Sequence, residues 1–230
     1  MPITKQDKQE LAQIHSDWSE RYGGCKEDYF ACLYLKAKFR CDIPELAPHI
    51  AFGGNDYGLD AYCIDREAKN LYLYQFKWSE NHNLFKDSLD RLAKDGMHRI
   101  FGNAMADPCA NELLNTLRAE LQEYKSVIKH VLVHFVFKGD VDQAEESEGL
   151  RSRKENLENK IHLVHEYFGD PDVEASLLDS HAIKDLFGLA PLFFVFVFVR
   201  NGRQQNGPGE FGPGGDILQR RAVQGVGFGF

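Results

Sequence analysis

The chain has 230 residues, of which 43% are hydrophobic, and its formal net charge is −8. This length and apolar content are sufficient for one sizeable core, so the composition predicts a single domain, residues 1–200, followed by a tail. The negative charge argues against tight, sequence-independent coating of DNA, because such binding depends on Lys and Arg replacing the counterions of phosphates. It does not exclude an enzyme that acts on nucleic acid.

Apolar periodicity predicts, in chain order, helices at 5–20 and 24–39, strands at 58–64 and 71–78, helices at 84–101 and 108–126, and a strand at 130–138. An acidic loop at 141–149, a charged helix at 150–168, a helical or extended segment at 173–187 and a strand at 191–200 follow. This order predicts the α/β class, with a central mixed sheet flanked by helices. After Arg200, Gly and Pro dominate, which predicts a disordered tail at 201–230.

Cysteine usage and hydropathy indicate the compartment. The cysteines are odd in number and form no CxxC pair, at positions 25, 32, 41, 63 and 109. This pattern is typical of reduced thiols, and it predicts a cytoplasmic protein. No apolar signal region opens the chain, and the longest apolar run, 191–199, is too short to cross a bilayer as a helix, so we expect no membrane partner.

The polar connector at 65–70 predicts a hairpin between the first two strands. If it forms the loop, residues whose numbers sum to about 135 lie opposite each other, which pairs Asp60 with Gln75. Period-2 alternation then sends Lys77 to the same face as Gln75. A carboxylate, an amide and an ammonium would meet at one end of a sheet.

Apolar residues occupy both faces of this hairpin. Tyr62, Leu71 and Leu73 share the face of Asp60, and the alternate residues of both strands are apolar as well. The sheet is therefore expected to be covered on both sides, as in α/β folds, with its polar groups at the open end. The alternative is a half-exposed hairpin edge on which Asp60 and Lys77 are only solvated.

The pattern of Asp60 followed by Gln75-Phe76-Lys77 resembles the PD-(D/E)XK nuclease superfamily, in which Gln is a known variant of the second acid. The segments GlyGlyAsnAspTyrGlyLeuAspAla and LeuTyrLeuTyrGlnPheLys look like the nuclease-type N-terminal part of abortive phage infection (AIPR) proteins. The resemblance covers roughly residues 20–140. One departure from the pattern is that no Pro precedes Asp60. Because proteins of the narrower family usually continue into a larger C-terminal region, we expect the tail to mark a truncated or rearranged end.

The resemblance implies a restriction-endonuclease-like core and a Mg²⁺-dependent nuclease, with Mn²⁺ as a substitute, that acts as an endonuclease on DNA in anti-phage defence. Asp60 would be the principal metal ligand, and Gln75 would add a neutral carbonyl oxygen that predicts weak metal binding without substrate phosphate. The backbone carbonyl of Phe76 would complete this side. Lys77 would orient or deprotonate the attacking water, or stabilise transition-state charge.

The superfamily pattern also includes a Glu from the helix before the first strand. Glu27 lies three residues before Phe30, on the apolar side of the predicted helix 24–39, and is the candidate. A carboxylate there also suits simple compensation of the helix dipole. Asp28 or Glu20 would replace it if the helix is rotated from this register.

Basic residues on the next helix suggest a nucleic-acid contact. At helical spacing Arg91, Lys94 and His98 share a face that could meet a phosphate backbone, although such a face is often simply solvated. A homodimer would suit double-strand cleavage, because two active sites are then needed.

Three hypotheses of different classes follow from the sequence. The first is the metal-dependent nuclease, and the second is a nuclease-like module that binds nucleic acid or a partner without cutting. The third is a structural or oligomerising domain in which Asp60 and Lys77 form a buried ion pair, an arrangement that contributes little net stability.

Overall fold

The computed structural model describes residues 3–105, 107 and 110–180. The helices in this part of the chain are α1 (Lys5–Tyr22), α2 (Tyr29–Phe39), α3 (Ile43–Leu46), α4 (Phe85–Arg91), α5 (Met97–Ile100), α6 (Glu112–Tyr124), α7 (Val141–Glu146), α8 (Glu148–Glu158) and α9 (Ile161–Phe168). The strands are β1 (Ala61–Asp65), β2 (Asn70–Phe76), β3 (His130–Phe137) and β4 (Asp172–Asp179). The predicted strand at 191–200 and the predicted tail at 201–230 lie outside the described residues.

The four strands form one mixed sheet in the order β1-β2-β3-β4. The β1–β2 pair is antiparallel, whereas β2–β3 and β3–β4 are parallel. Parallel neighbours need a crossover, and α4 to α6 provide the one between β2 and β3. The predicted α/β class with a mixed sheet and flanking helices is confirmed.

The predicted register of the hairpin is also confirmed. Ala61 lies opposite Tyr74 and Asp65 lies opposite Asn70, so the paired numbers sum to 135 at both ends of the ladder. The backbone N–H of Asp60 donates to the carbonyl of Tyr74 at 2.8 Å, which continues the pairing beyond β1. A turn closes the connector, where the Asp65 carboxylate accepts from the backbone N–H of Ala68 at 2.9 Å.

Both faces of the hairpin are covered, as the apolar patterning indicates. On one face α2 packs aromatic side chains against β2, with the ring of Tyr34 centred 5.3 Å from that of Phe76. On the other face Tyr62, Leu71 and Leu73 join the main core with residues of α4 and α6. Burial on both sides explains why these strands are nearly continuous apolar runs.

Several predicted elements differ from the structure. The predicted loop at 141–149 contains α7, because the Asp140 carboxylate caps its N-terminus by accepting from the backbone N–H of Gln143 and Ala144 is buried against the core. The predicted helix at 150–168 is divided between α8 and α9, which a turn at Asn159 and Lys160 separates.

Of the segment predicted at 173–187 as helical or extended, the described part is extended in β4, and residues 181–187 lie outside the described residues. The predicted helix at 84–101 runs continuously from Phe85 to Ile100, but Leu92–Gly96 forms a π-helical turn within it. A 3₁₀ turn, Lys26–Asp28, occupies the start of the helix predicted at 24–39.

A buried ion pair joins α1 to the end of β3. The Lys138 ammonium donates to the Asp7 carboxylate at 2.8 Å, and their side chains are only 6% and 3% exposed. Asp7 also completes a capping box with Thr4 at the start of α1. Burial acts to raise the pKa of Asp7, but hydrogen bonds from Lys138 and Thr4 outweigh it and hold that pKa well below its ordinary value.

Among residues 3–105, 107 and 110–180, no helix combines the length and the apolar character needed to cross a bilayer.

Candidate active site

A cavity of about 270 Å³ lies where β1 begins and β2 ends. The 3₁₀ turn before α2, the loop before β1, the residues after β2 and the end of α4 contribute its walls. The charged residues that line it are Glu27, Asp28, Asp56, Asp60, Lys77 and Arg91. All of these except Asp56 were named from the sequence, Asp28 as the alternative to Glu27, and Phe76 lines the same cavity.

Asp60 is fixed by the strand opposite it. Its carboxylate accepts from the backbone N–H of Phe76 at 2.6 Å and from the side-chain amide of Gln75. Burial raises the pKa of Asp60 to about 7, and the nearby carboxylates of Asp56 and Asp28 act in the same direction. The Phe76 N–H and the charge of Lys77 lower the pKa but do not offset the burial. Asp60 therefore titrates near neutral pH.

Gln75 lies beside Asp60 with only 1% of its surface exposed. Its amide nitrogen faces the Asp60 carboxylate, whereas the predicted role as a metal ligand requires its carbonyl oxygen there. The carbonyl oxygen of Gln75 is buried and has no hydrogen-bond partner among the described residues. Buried polar atoms without a partner are uncommon and costly, so this oxygen marks an incompletely satisfied position next to Asp60.

Lys77 continues the β2–β3 pairing with its backbone, because its N–H donates to the carbonyl of Val136 at 2.9 Å. Its side chain is partly exposed and lines the cavity. Within the described residues its ammonium has no hydrogen-bond or ion-pair partner, and no contact within 4 Å joins it to Asp60. The direct Asp60–Lys77 ion pair of the third hypothesis is therefore not formed among the described residues, although the charge of Lys77 still acts on Asp60.

The loop before β1 supplies a further carboxylate, which was not among the predicted site residues. Asp56 is 8% exposed and accepts from the backbone N–H of Gly58 at 2.7 Å, and Arg91 approaches its carboxylate at 3.7 Å. Gly58 has a φ of +84°, and a Cβ there would lie 2.6 Å from the carbonyl of Ser88 in α4. Only glycine allows the loop to pack this closely.

The two candidate acids before α2 have different environments. Glu27 is exposed at the cavity wall, whereas Asp28 accepts from the backbone N–H groups of Cys25 and Gly53 and so ties two loops together. Glu20 does not line the cavity. Unlike Asp28, Glu27 makes none of these loop contacts. It lies on a 3₁₀ turn and not on the helix that was expected.

The predicted basic face is divided. Arg91 lines the cavity with its side chain half exposed, but Lys94 and His98 do not line it. The π-helical turn Leu92–Gly96 adds residues to one helical turn, so positions three and seven after Arg91 no longer project in its direction as they would in an α-helix.

The donor groups do not form a complete protein-only metal centre. Among the residues that the structure describes, no set of three or more His, Cys, Asp or Glu side chains is close enough to hold a metal ion. Asp28 and Asp56 already accept hydrogen bonds from backbone N–H groups of the surrounding loops. Asp60 likewise accepts from the Phe76 N–H and the Gln75 amide, both at Oδ2, and Glu27 lines the same cavity.

In comparisons with protein-family models, with curated proteins and with solved structures, no match to this chain is found.

We expect replacement of Asp60 by asparagine to flatten the pH dependence of stability. A carboxyl whose pKa is about 7 when folded and 3.8 when unfolded binds more protons in the folded state, so the free energy of unfolding falls as pH rises from about 4 to 7. The asparagine side chain does not ionise. At pH 8 the variant should therefore be more stable than the parent by about 1–3 kcal/mol, a figure discounted for partial exposure.

Urea unfolding at pH 5 and pH 8 measures this difference. The exposed Asp95→Asn substitution provides the matched control and should shift stability equally at both values. An Asp60→Asn offset that is the same at pH 5 and pH 8 would show that Asp60 has an ordinary pKa.

Proposed function

We propose that this protein is a Mg²⁺-dependent nuclease with a restriction-endonuclease-like core, acting as an endonuclease on DNA. The observation that carries the proposal is that Asp60 and an unpartnered Lys77 line one cavity at the end of a hairpin covered on both faces, within the described part of the chain. An ammonium without a protein partner beside an anionic cavity is suited to a phosphate held next to a cation.

The residues that line the cavity suit a Mg²⁺ ion that binds together with the substrate. Mg²⁺ retains several waters and takes one or two carboxylates together with substrate phosphates, and Asp60 and Glu27 offer two carboxylates. The buried carbonyl oxygen of Gln75 would become a ligand if its amide rotated by half a turn. One neutral and two charged ligands predict weak binding of the ion without DNA.

Asp60, Lys77 and Arg91 have separate roles in the proposed cleavage. Mg²⁺, when bound, neutralises phosphate charge and lowers the pKa of a bound water. Asp60 must lose its proton to act as a ligand, and with a pKa of about 7 it does so at neutral to alkaline pH. Lys77 orients the attacking water or stabilises charge on the phosphate oxygens. Arg91, half exposed at the cavity, provides a contact for a neighbouring phosphate.

Relaxation of supercoiled plasmid tests this function. The purified chain should cut plasmid in Mg²⁺ and in Mn²⁺ and should be inactive in EDTA, with activity rising through pH 7. Asp60→Ala, purified in the same way and checked for folding, should be at least about 100-fold slower. Equal cleavage by both proteins would identify a contaminant and contradict the assignment of Asp60.

A second candidate is a nuclease-like module that binds nucleic acid or a partner without cutting it. The observation that favours it is the neutral Gln75 in place of a second acid, together with the lack of a three-ligand group in the described part of the chain. This candidate predicts DNA binding, measured by fluorescence anisotropy, that is equal in EDTA and Mg²⁺ and equal in Asp60→Ala. A homodimer, a cytoplasmic location and a role in anti-phage defence belong to the first proposal and need separate tests.

A further inference from the structure

A second and larger cavity lies on the α2 side of the sheet. Its volume is about 540 Å³, twice that of the candidate active site, and falls in the range of small-molecule sites. Residues of α1 and α2 line it, together with residues that follow β2, β3 and β4. Trp78 lines both cavities, so the two are neighbours.

The floor of this cavity is aromatic and apolar. Phe30, Tyr34 and Trp78 line it, and the rings of Phe30 and Trp78 meet edge to face with their centroids 5.1 Å apart. Leu33 and Ala37 of α2 extend the apolar surface. A flat apolar ring is the ligand group that such a floor accommodates best.

Polar groups surround the floor at specific points. The Lys138–Asp7 ion pair lines the cavity, with the Lys138 ammonium 5.2 Å from the centroid of the Trp78 ring. Ser180 lines it as well, is 9% exposed, and its hydroxyl is buried without a hydrogen-bond partner among the residues that the structure describes. A ligand with donors and acceptors at the edge of a flat ring would satisfy this hydroxyl.

The charge of the lining differs from that of the chain. Lys36, Arg40 and Lys138 contribute positive charges, and Asp7 and Glu10 contribute negative ones. The lining therefore carries a formal net charge of +1, whereas the net charge of the chain is −8. Lys36, Arg40 and Glu10 are all exposed, so the rim carries two positive charges and one negative charge.

We propose that this cavity binds a nucleotide, with the base on the aromatic floor and the phosphate at Lys36 and Arg40. The inference goes beyond the proposed nuclease activity and does not require it. The nucleotide is either a free mononucleotide or one unit of a strand whose next phosphate reaches the candidate active site past Trp78. Both sources share the same chemistry.

Calorimetric titration in EDTA tests the proposal without any cleavage. The probes are AMP, GMP and dTMP as free nucleotides and a ten-nucleotide single strand of mixed sequence. Ala37→Trp fills the cavity from an exposed position of α2, and Ala12→Trp makes the same change at an exposed position of α1 that does not line it. We expect Ala37→Trp to weaken binding at least tenfold and Ala12→Trp to leave it unchanged.

The outcomes separate the two sources. Binding of a free nucleotide that Ala37→Trp weakens supports the proposal with a free ligand, and weakened binding of the strand alone supports it with a strand. No binding of any probe, or equal binding by both variants, overturns the proposal. Plasmid cleavage is a separate readout, so failure here leaves the nuclease proposal to its own test.

Discussion

Lys77→Met should lower plasmid cleavage by about 10²–10⁴-fold while leaving the protein folded. The reason is that the ammonium of Lys77 lines the cavity beside Asp60 and has no protein partner in the described part of the chain, so its charge is available to the substrate. Methionine keeps the apolar stem and removes the charge. The free energy of unfolding should change by less than about 0.5 kcal/mol, as for other substitutions that break no contact.

Lys129→Met is the matched control for this loss. Lys129 is exposed and precedes β3, at the end of the sheet opposite Lys77, so the same change of charge there should leave the cleavage rate within about twofold. Both variants are compared by initial rates of plasmid nicking and by urea unfolding. A Lys77→Met protein that is folded and fully active would remove Lys77 from the proposed mechanism.

Asp7→Ala should destabilise the protein by about 3–5 kcal/mol, because it leaves the Lys138 ammonium buried without its carboxylate. The Lys138 side chain is 6% exposed, so water cannot replace the lost partner fully. The pKa of Asp7 is held below its ordinary value, so its contribution to stability is present above about pH 4 and is lost as pH falls through the lower folded value.

Urea unfolding at pH 7 measures the Asp7 effect. Asp17→Ala, at an exposed position of the same helix whose carboxylate accepts from the side chain of Gln13, should cost well under about 1 kcal/mol. The double substitution Asp7→Leu with Lys138→Met should recover most of the lost stability, because no unpaired charge remains. A single-variant loss below about 1 kcal/mol would show that Lys138 finds water or another partner.

The hairpin could be predicted because its turn and its register depend on residues that are close together in the sequence. A polar connector fixed the turn, period-2 apolar patterning fixed the faces, and the pairing of Asp60 with Gln75 followed by arithmetic. The same patterning predicted that both faces are covered. What patterning could not give was the orientation of the Gln75 amide, since that depends on hydrogen bonds that form only after the strands pair.

Features that depend on distant contacts were missed for the same reason. Asp7 and Lys138 are 131 positions apart, and nothing in either neighbourhood indicates the other. Asp56 belongs to the GlyGlyAsnAspTyrGlyLeuAsp segment, so its acidic character was visible, but its burial follows from the close packing of Gly58 against α4. The helix α7 was hidden because its acidic composition resembles a loop, while its buried residue, Ala144, is small.

The geometry of the candidate site depends on the register of the hairpin and not on the number of residues between Asp60 and Gln75. Asp60 and Gln75 face each other because β1 and β2 pair in a continuous register, and the connector at 66–69 lies at the far end of the ladder. A longer or shorter connector would preserve the site, whereas one residue inserted within a strand would turn the Asp60 carboxylate to the opposite face. Evolution can therefore change the number of residues between the two halves of the motif without changing the site. A search with a fixed Asp-to-Gln spacing would overlook chains that share this geometry, and a search that allows the connector to vary would retain them.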